Sequence, residues 1–153
     1  MTPLDLFLRP PRGPRERLAG IAFTARLVDK LRASLSGGNL NGYLPTTGFS
    51  LLWAYYTRID LDQLRGVVEV SASEGEVERW ISDRTGDLDK DKINAKMARF
   101  DSSRTPAEDL EEFARMYPAE LRARHTNIFD LLEADDAWLY GAPASSRTGN
   151  ARS

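Results

Sequence analysis

Apolar residues recur at helical spacing along most of this chain, and the spacing breaks at glycine, proline or capping residues. Between Pro14 and Ser36, the residues Ile21, Phe23, Leu27, Val28, Leu31 and Leu35 share one broad face of a wheel drawn at ~100° per residue. The pattern predicts a helix over 14–36, stopped by Gly37–Gly38, which tolerate the left-handed conformation. Ahead of it, Arg9–Pro14 holds three prolines and a glycine, which predicts an extended arm over 1–14. A turn-rich link, Gly37–Gly48, contains Asn39, Asn41, Gly42 and Pro45. A second helix follows over Phe49–Arg58, and Asp60 can cap a third that runs through Val68. The only strand-like run, Val67–Val70, is brief.

Ser73-Glu74-Gly75-Glu76 reads as a capping box opening a helix on which Val77, Trp80 and Ile81 share a face, closed by Gly86. Asp87 or Asp89 starts a charged helix to about Phe100, with Ile93, Met97 and Phe100 as its narrow stripe. Thr105-Pro106-Ala107-Glu108 combines a capping box with proline at the first helical position, ahead of Leu110, Phe113, Ala114 and Tyr117. Pro118 begins a short helix, and Thr126 or Asn127 caps a last one carrying Ile128, Phe129, Leu131 and Leu132. The expected fold is all-α: a compact bundle of five to seven short helices in one domain over 1–140, with a small, polar, mobile tail over 141–153.

Composition narrows the function more than it defines it. Of 153 residues, 41% are hydrophobic and 29% charged, the balance of a globular chain, and the formal charge of −2 gives no whole-molecule field to draw in nucleic acid or an anionic membrane. Locally the opening segment is basic: Arg9, Arg12, Arg15, Arg17, Arg26, Lys30 and Arg32 face only Asp5, Glu16 and Asp29. There is no cysteine, which excludes disulfides and thiolate chemistry. The apolar stretch Leu4–Leu8 is too short and interrupted for a signal peptide, and no apolar run approaches the ~20 residues of a membrane span, so the cytoplasm is the expected location. No phosphate-binding glycine loop, dinucleotide fingerprint or nucleophile elbow is present.

The polar side of the first predicted helix carries the most chemistry. Arg26, Asp29, Lys30 and Arg32 are interleaved with Ala22, Ala25 and Ala33, and Asp29 lies three residues from both arginines, within reach of either. Two arginines and a lysine around one acid leave surplus positive charge suited to a carboxylate or phosphate, and the alanines let a ligand approach. A lysine buried there would be pushed toward a neutral base. The same alternation of charge and alanine also describes an ordinary solvated helix face, whose ion pairs contribute little.

The run Arg26-Leu27-Val28-Asp29-Lys30-Leu31-Arg32-Ala33 resembles the R-x-x-D-K-x-R-A core of the domain of unknown function 5069 family. Arg12-Gly13-Pro14 is similar to its R-S-P opening, Leu18-Ala19-Gly20 to L-G-G, Asn41-Gly42-Tyr43 to G-E-Y and Glu76-Val77-Glu78-Arg79-Trp80 to E-E-V-x-x-W. Phe129-Asp130-Leu131-Leu132-Glu133-Ala134-Asp135 resembles an aromatic-D-L-L-x-x-D close, so the likeness spans about residues 5–135. The chain departs from the pattern in three places. Ala19 replaces a glycine, Gly42 replaces an acid, and Thr47-Gly48-Phe49-Ser50-Leu51-Leu52 stands where the family has P-L-D-x-x-L-L. The resemblance implies a small, helical, cytoplasmic bacterial protein and names no activity.

Elsewhere the signals are weaker. His125 with Asp130 and a serine makes a triad only on paper, and a helix C-terminal role suits it. Asp87, Asp89 and Asp91 alternate but lack the glycine and closing glutamate of a calcium loop, so no metal and no cofactor is expected. The expected site is a pocket walled by Tyr43, Trp53 and Trp80 and floored by the charged helix, with Arg26 and Arg32 holding an anionic group. Asp29 and Lys30 would orient that group or move a proton. The corresponding function is a small-molecule-binding protein or cofactor-independent enzyme of isomerase, cyclase or hydrolase type. The alternative is a non-catalytic interaction module that docks an acidic partner or a second copy of itself.

Overall fold

A computed structural model of the chain describes residues 1–104 and 110–141. The capping box at Thr105–Glu108 and nearly all of the tail expected over 141–153 lie outside the described residues. The chain is mainly helical. Its elements are β1 (Arg17–Leu18), β2 (Ile21–Ala22), α1 (Thr24–Ala33), α2 (Phe49–Thr57), α3 (Leu61–Val70) and α4 (Glu74–Arg84). Then come α5 (Lys90–Ala98), a 3-10 turn (Ser102–Arg104), α6 (Leu110–Met116), α7 (Ala119–Arg124) and α8 (Ile128–Gly141). Eight α-helices among the described residues exceed the five to seven expected.

The long first helix is the main correction. α1 begins ten residues later than periodicity suggests, because residues 17–22 fold as a two-stranded antiparallel hairpin pairing Arg17 with Ala22 and Leu18 with Ile21. Its turn, Ala19-Gly20, needs two left-handed residues (φ 56° and 77°), the geometry that matches strand twist in a two-residue hairpin. Glycine supplies this freely and alanine does not. Phe23, also left-handed at φ 66°, then turns the chain into α1 while its amide donates to Pro14 O at 2.8 Å. Burial of the ring, which packs edge-on against Phe49 at 4.9 Å, offsets that strain. Asn94 on α5 stitches the hairpin down, accepting from the Ala22 amide at 2.8 Å and donating to Gly20 O at 2.9 Å.

Capping follows the sequence with one exception. Asp60 accepts from Gln63 N and Asp89 from Lys92 N, each at 2.9 Å. Ser73 makes no side-chain cap, and Glu76 instead accepts from the Ala72 amide at 2.9 Å. The strand-like run Val67–Val70 is the last turn of α3.

α1 lies at the centre, packed against α3 and the hairpin, with Leu27, Val28 and Leu31 fully buried. The core around it includes Trp53, Leu64, Val68, Ile81, Met97 and Leu131. The arm expected to be extended makes a turn at Asp5–Leu8, and its first residues lie against the C-terminal half of α1: Leu6 N donates to Asn39 O at 2.8 Å, and the Leu6 side chain packs with Ala33 and Tyr43. No described helix is long and apolar enough to cross a membrane.

Candidate functional site

A helix wrapped on every side cannot keep a solvated polar face, and α1 does not. Arg26 and Asp29 are each 1% exposed and Lys30 is 0% exposed. Each therefore needs a partner inside the protein, since an unpaired buried charge is costly. Three distant segments supply them.

Asp29 is held by the arm rather than by its own helix. Arg12 donates to Oδ2 from its backbone N and from Nε, both at 3.0 Å, and to Oδ1 from Nη2 at 2.9 Å. The same guanidinium reaches Glu74 at the start of α4 through Nη1 at 3.0 Å and through a closer Nη2 contact, and its Nη2 also donates to Ala25 O at 3.3 Å. Burial works against the Arg12 charge, but its hydrogen bonds to the Glu74 and Asp29 carboxylates more than offset that and hold its pKa above the ordinary value. Of the two arginines expected beside Asp29, Arg32 stays 4.0 Å away and donates its Nε to Thr2 O at 3.0 Å. Arg26 turns elsewhere.

Arg26 makes a two-pronged pair with Asp136 on α8, at 2.6 and 3.1 Å. Its guanidinium also lies 5.4 Å from the centre of the Tyr43 ring, whose hydroxyl donates to Asp136 at 2.5 Å. Desolvation opposes the Arg26 charge and Asp136 outweighs it, so its pKa is raised. Burial and the Asp136 charge push the Tyr43 hydroxyl well above its usual range, which keeps it a neutral donor.

Lys30 is different in kind. Its Nζ donates to Leu44 O at 3.1 Å and Ser50 Oγ at 3.0 Å, and lies 5.0 Å from the centre of the Phe23 ring. No carboxylate among the described residues lies within ion-pair distance. Burial first, and the Arg26 charge second, pull its pKa well below 10.5, with Asp136 opposing. Leu44 and Ser50 bracket the loop where the chain departs from the acid-bearing pattern it resembles, and in this loop Thr47 Oγ1 is buried with no hydrogen-bond partner. Ser50 itself is fully buried in the first turn of α2.

The structure thus brings Arg26 and Tyr43 together on Asp136, with Lys30 one turn further along α1, and sets Asp29 beside them through Arg12, whose carbonyl oxygen accepts from Arg26 Nη1 at 3.3 Å. It does not bring the tryptophans in as walls. Trp53 is a core residue donating Nε1 to Thr24 Oγ1 at 2.8 Å, and half-buried Trp80 is covered by Arg84 at 3.7 Å. His125 ends α7 as its C-cap, while Asp130 is engaged by Arg15 at 2.5 Å. No local sequence signal marks Ser50, Asp136, Arg12 or Glu74 as partners of the α1 charges, although Glu74 lies in the capping box, Ser50 in the departing stretch 47–52 and Arg12 in the R-S-P likeness.

The family model of the domain of unknown function DUF5069 matches residues 8–138. The chain belongs to this family. The match spans the arm from residue 8, the α1 cluster and α8 up to and beyond Asp136, so Arg12, Arg26, Asp29, Lys30, Tyr43 and Asp136 all lie inside the family domain. No curated protein matches the chain.

Proposed function

We propose that this chain is a cofactor-independent acid–base enzyme acting on a small anionic or polar organic molecule, with Lys30 as the group that moves a proton. The observation that carries this is a fully buried lysine with no carboxylate among the described residues within ion-pair distance, its Nζ donating to a carbonyl and a serine hydroxyl. A neutral amine is a competent base near neutral pH, and active sites are where burial and like charge are used to make one. Ser50, 3.0 Å from Nζ, is the natural relay for that proton. Arg32, whose side chain keeps 18% exposure and stands 4.0 Å from Asp29, is the cation left to meet an anion, whereas Arg12 is engaged by Asp29 and Glu74. Substrate entry requires the 44–48 loop to lift from Lys30, and the buried Thr47 hydroxyl with no hydrogen-bond partner leaves that loop with one polar group unsatisfied in the closed form.

Selective labelling of lysine Nζ or Cε with an NMR pH titration tests the chemistry, and a thermal-shift screen of acidic metabolites on wild type and Lys30→Met tests the site. The expected result is a Lys30 titration well below 10.5 and a compound that stabilises wild type but not the variant. An ordinary lysine titration, or equal stabilisation of both proteins by every active compound, would sink the proposal.

The second reading, a non-catalytic interaction module, is favoured by Leu51 and Tyr55, which are 57% and 77% exposed one turn apart on α2. Concentration-dependent mass in sedimentation equilibrium, abolished by Leu51→Glu, would support self-association through that face.

A further inference from the structure

A surface cleft of about 560 Å³ lies between α2, α5 and the 3-10 turn, apart from the α1 cluster. Four cations line it: Lys92 and Lys96 on successive turns of α5, Arg99 just past its end, and Arg104 on the 3-10 turn. Two half-buried aromatic rings, Tyr56 from α2 and Phe100, form its apolar part, and Lys96 Nζ sits 5.4 Å from the centre of the Tyr56 ring. The one acid among the described lining residues is Asp101, whose carboxyl is held below its usual range by hydrogen bonds from the Ser103 hydroxyl and amide. In a chain whose net charge is −2, four cations against one acid in a single hollow is a pronounced local excess. Lys92 is paired with Asp89 at 3.3 Å, but among the described residues no carboxylate forms an ion pair with Lys96, Arg99 or Arg104.

We propose that this cleft binds a nucleoside di- or triphosphate. The volume falls in the range of small-molecule sites, roughly 300–1,000 Å³. Residues one helical turn apart have Cβ atoms ~5–6 Å from each other, so neighbouring phosphates of one chain can be met by different side chains, with arginine adding planar two-pronged contacts. The rings of Tyr56 and Phe100 offer π-faces to a base. Asp101 would repel a bare anion, so it selects a ligand that also carries donors, and sugar hydroxyls or a base amino group supply them. A run of single-stranded nucleic acid uses the same chemistry but needs a basic track longer than one such hollow, against the acidic balance of the chain. The site uses side chains alone, which is why no phosphate-loop glycine pattern marks it, and it does not depend on the chemistry proposed for Lys30.

The test is calorimetric titration of the full chain with ADP, ATP, adenosine, pyrophosphate and a short oligothymidylate, at two salt concentrations. The variants are Lys96→Ala/Arg99→Ala, at exposed positions, and Tyr56→Leu. Saturable ADP binding is expected, with ATP tighter, adenosine and pyrophosphate each weaker by about tenfold or more, and affinity falling with salt. The double variant should weaken ADP by roughly tenfold or more, while its circular dichroism matches wild type. Absence of saturable ADP and ATP binding, or ADP binding unchanged in the double variant, would overturn the site. Pyrophosphate binding as tightly as ADP, with Tyr56→Leu neutral, would overturn the nucleoside part. Oligothymidylate binding far more tightly than ADP would reassign the cleft to nucleic acid.

Discussion

Arg26 and Asp136 stand 110 residues apart in sequence and meet in a buried two-pronged ion pair that fastens α8 to α1. The guanidinium side chain is 1% exposed and the carboxylate 11%, so neither charge has water to fall back on. Tyr43 completes the pair by donating to the same carboxylate.

Removing the acid should therefore cost more than removing the whole pair. Asp136→Ala strands a buried guanidinium, and a loss of about 3–5 kcal/mol is expected. Arg26→Met/Asp136→Leu should recover much of it. Tyr43→Phe, which deletes one hydrogen bond, should cost about 1 kcal/mol. Urea unfolding of wild type and the three variants checks the order, and an Asp136→Ala effect below that of Tyr43→Phe would contradict it.

The depressed Lys30 pKa makes a pH prediction of definite sign. Between the folded value and 10.5 the unfolded chain binds the proton that the folded chain refuses, so stability should rise with pH across that window. Lys30→Met removes this dependence. The difference in unfolding free energy, wild type minus variant, should grow from pH 7 to pH 10; a flat or falling difference would show that Lys30 is charged in the fold.

Ala19 occupies a left-handed turn position, φ 56°, where the family pattern has glycine. Ala19→Gly should relieve that strain and stabilise the protein by about 0.5–1 kcal/mol despite glycine's larger unfolded-state entropy. The melting temperature should rise by a few degrees, and a fall would mean that the hairpin turn is not formed as described.

Asn94→Ala removes both stitches between α5 and the hairpin and leaves the buried Ala22 amide without its acceptor. A loss of about 2–3 kcal/mol is expected, with faster hydrogen exchange at Ala22 as the local signature.

Arg12 ties the arm to both Asp29 and Glu74 with a fork that lysine cannot reproduce. Arg12→Lys should weaken the fold by about 1–3 kcal/mol and expose the arm. Limited proteolysis should then cut near residues 9–14 in the variant and spare wild type.

Much of the helical fold was legible because capping and periodicity act within a few residues: Asp60, Asp89 and the Ile128–Leu132 stripe all sit where local chemistry puts them. The failure over 14–23 has a local cause as well. Ile21 and Phe23 match the helical period, yet Gly20 favours a two-residue turn, and the buried Asn94 rewards the hairpin through tertiary bonds that offset the strain at Ala19. At the site, residue types were readable and partners were not. Asp29 has two arginines at helical spacing, but the one that holds it arrives from the arm. Trp53 and Trp80 look alike in sequence, and only packing makes one a core residue and the other the base for Arg84.

The sequence by itself determined the helical class, most helix starts and the gathering of Arg26, Asp29, Lys30 and Arg32 on one short segment, because these follow from interactions spanning four residues or fewer. Tertiary structure alone decided that this segment is enclosed, that Asp136 and Arg12 neutralise its neighbours, and that Lys30 is left with a serine and a carbonyl. Burial and pairing depend on which distant chain segments converge, and no local pattern encodes that convergence.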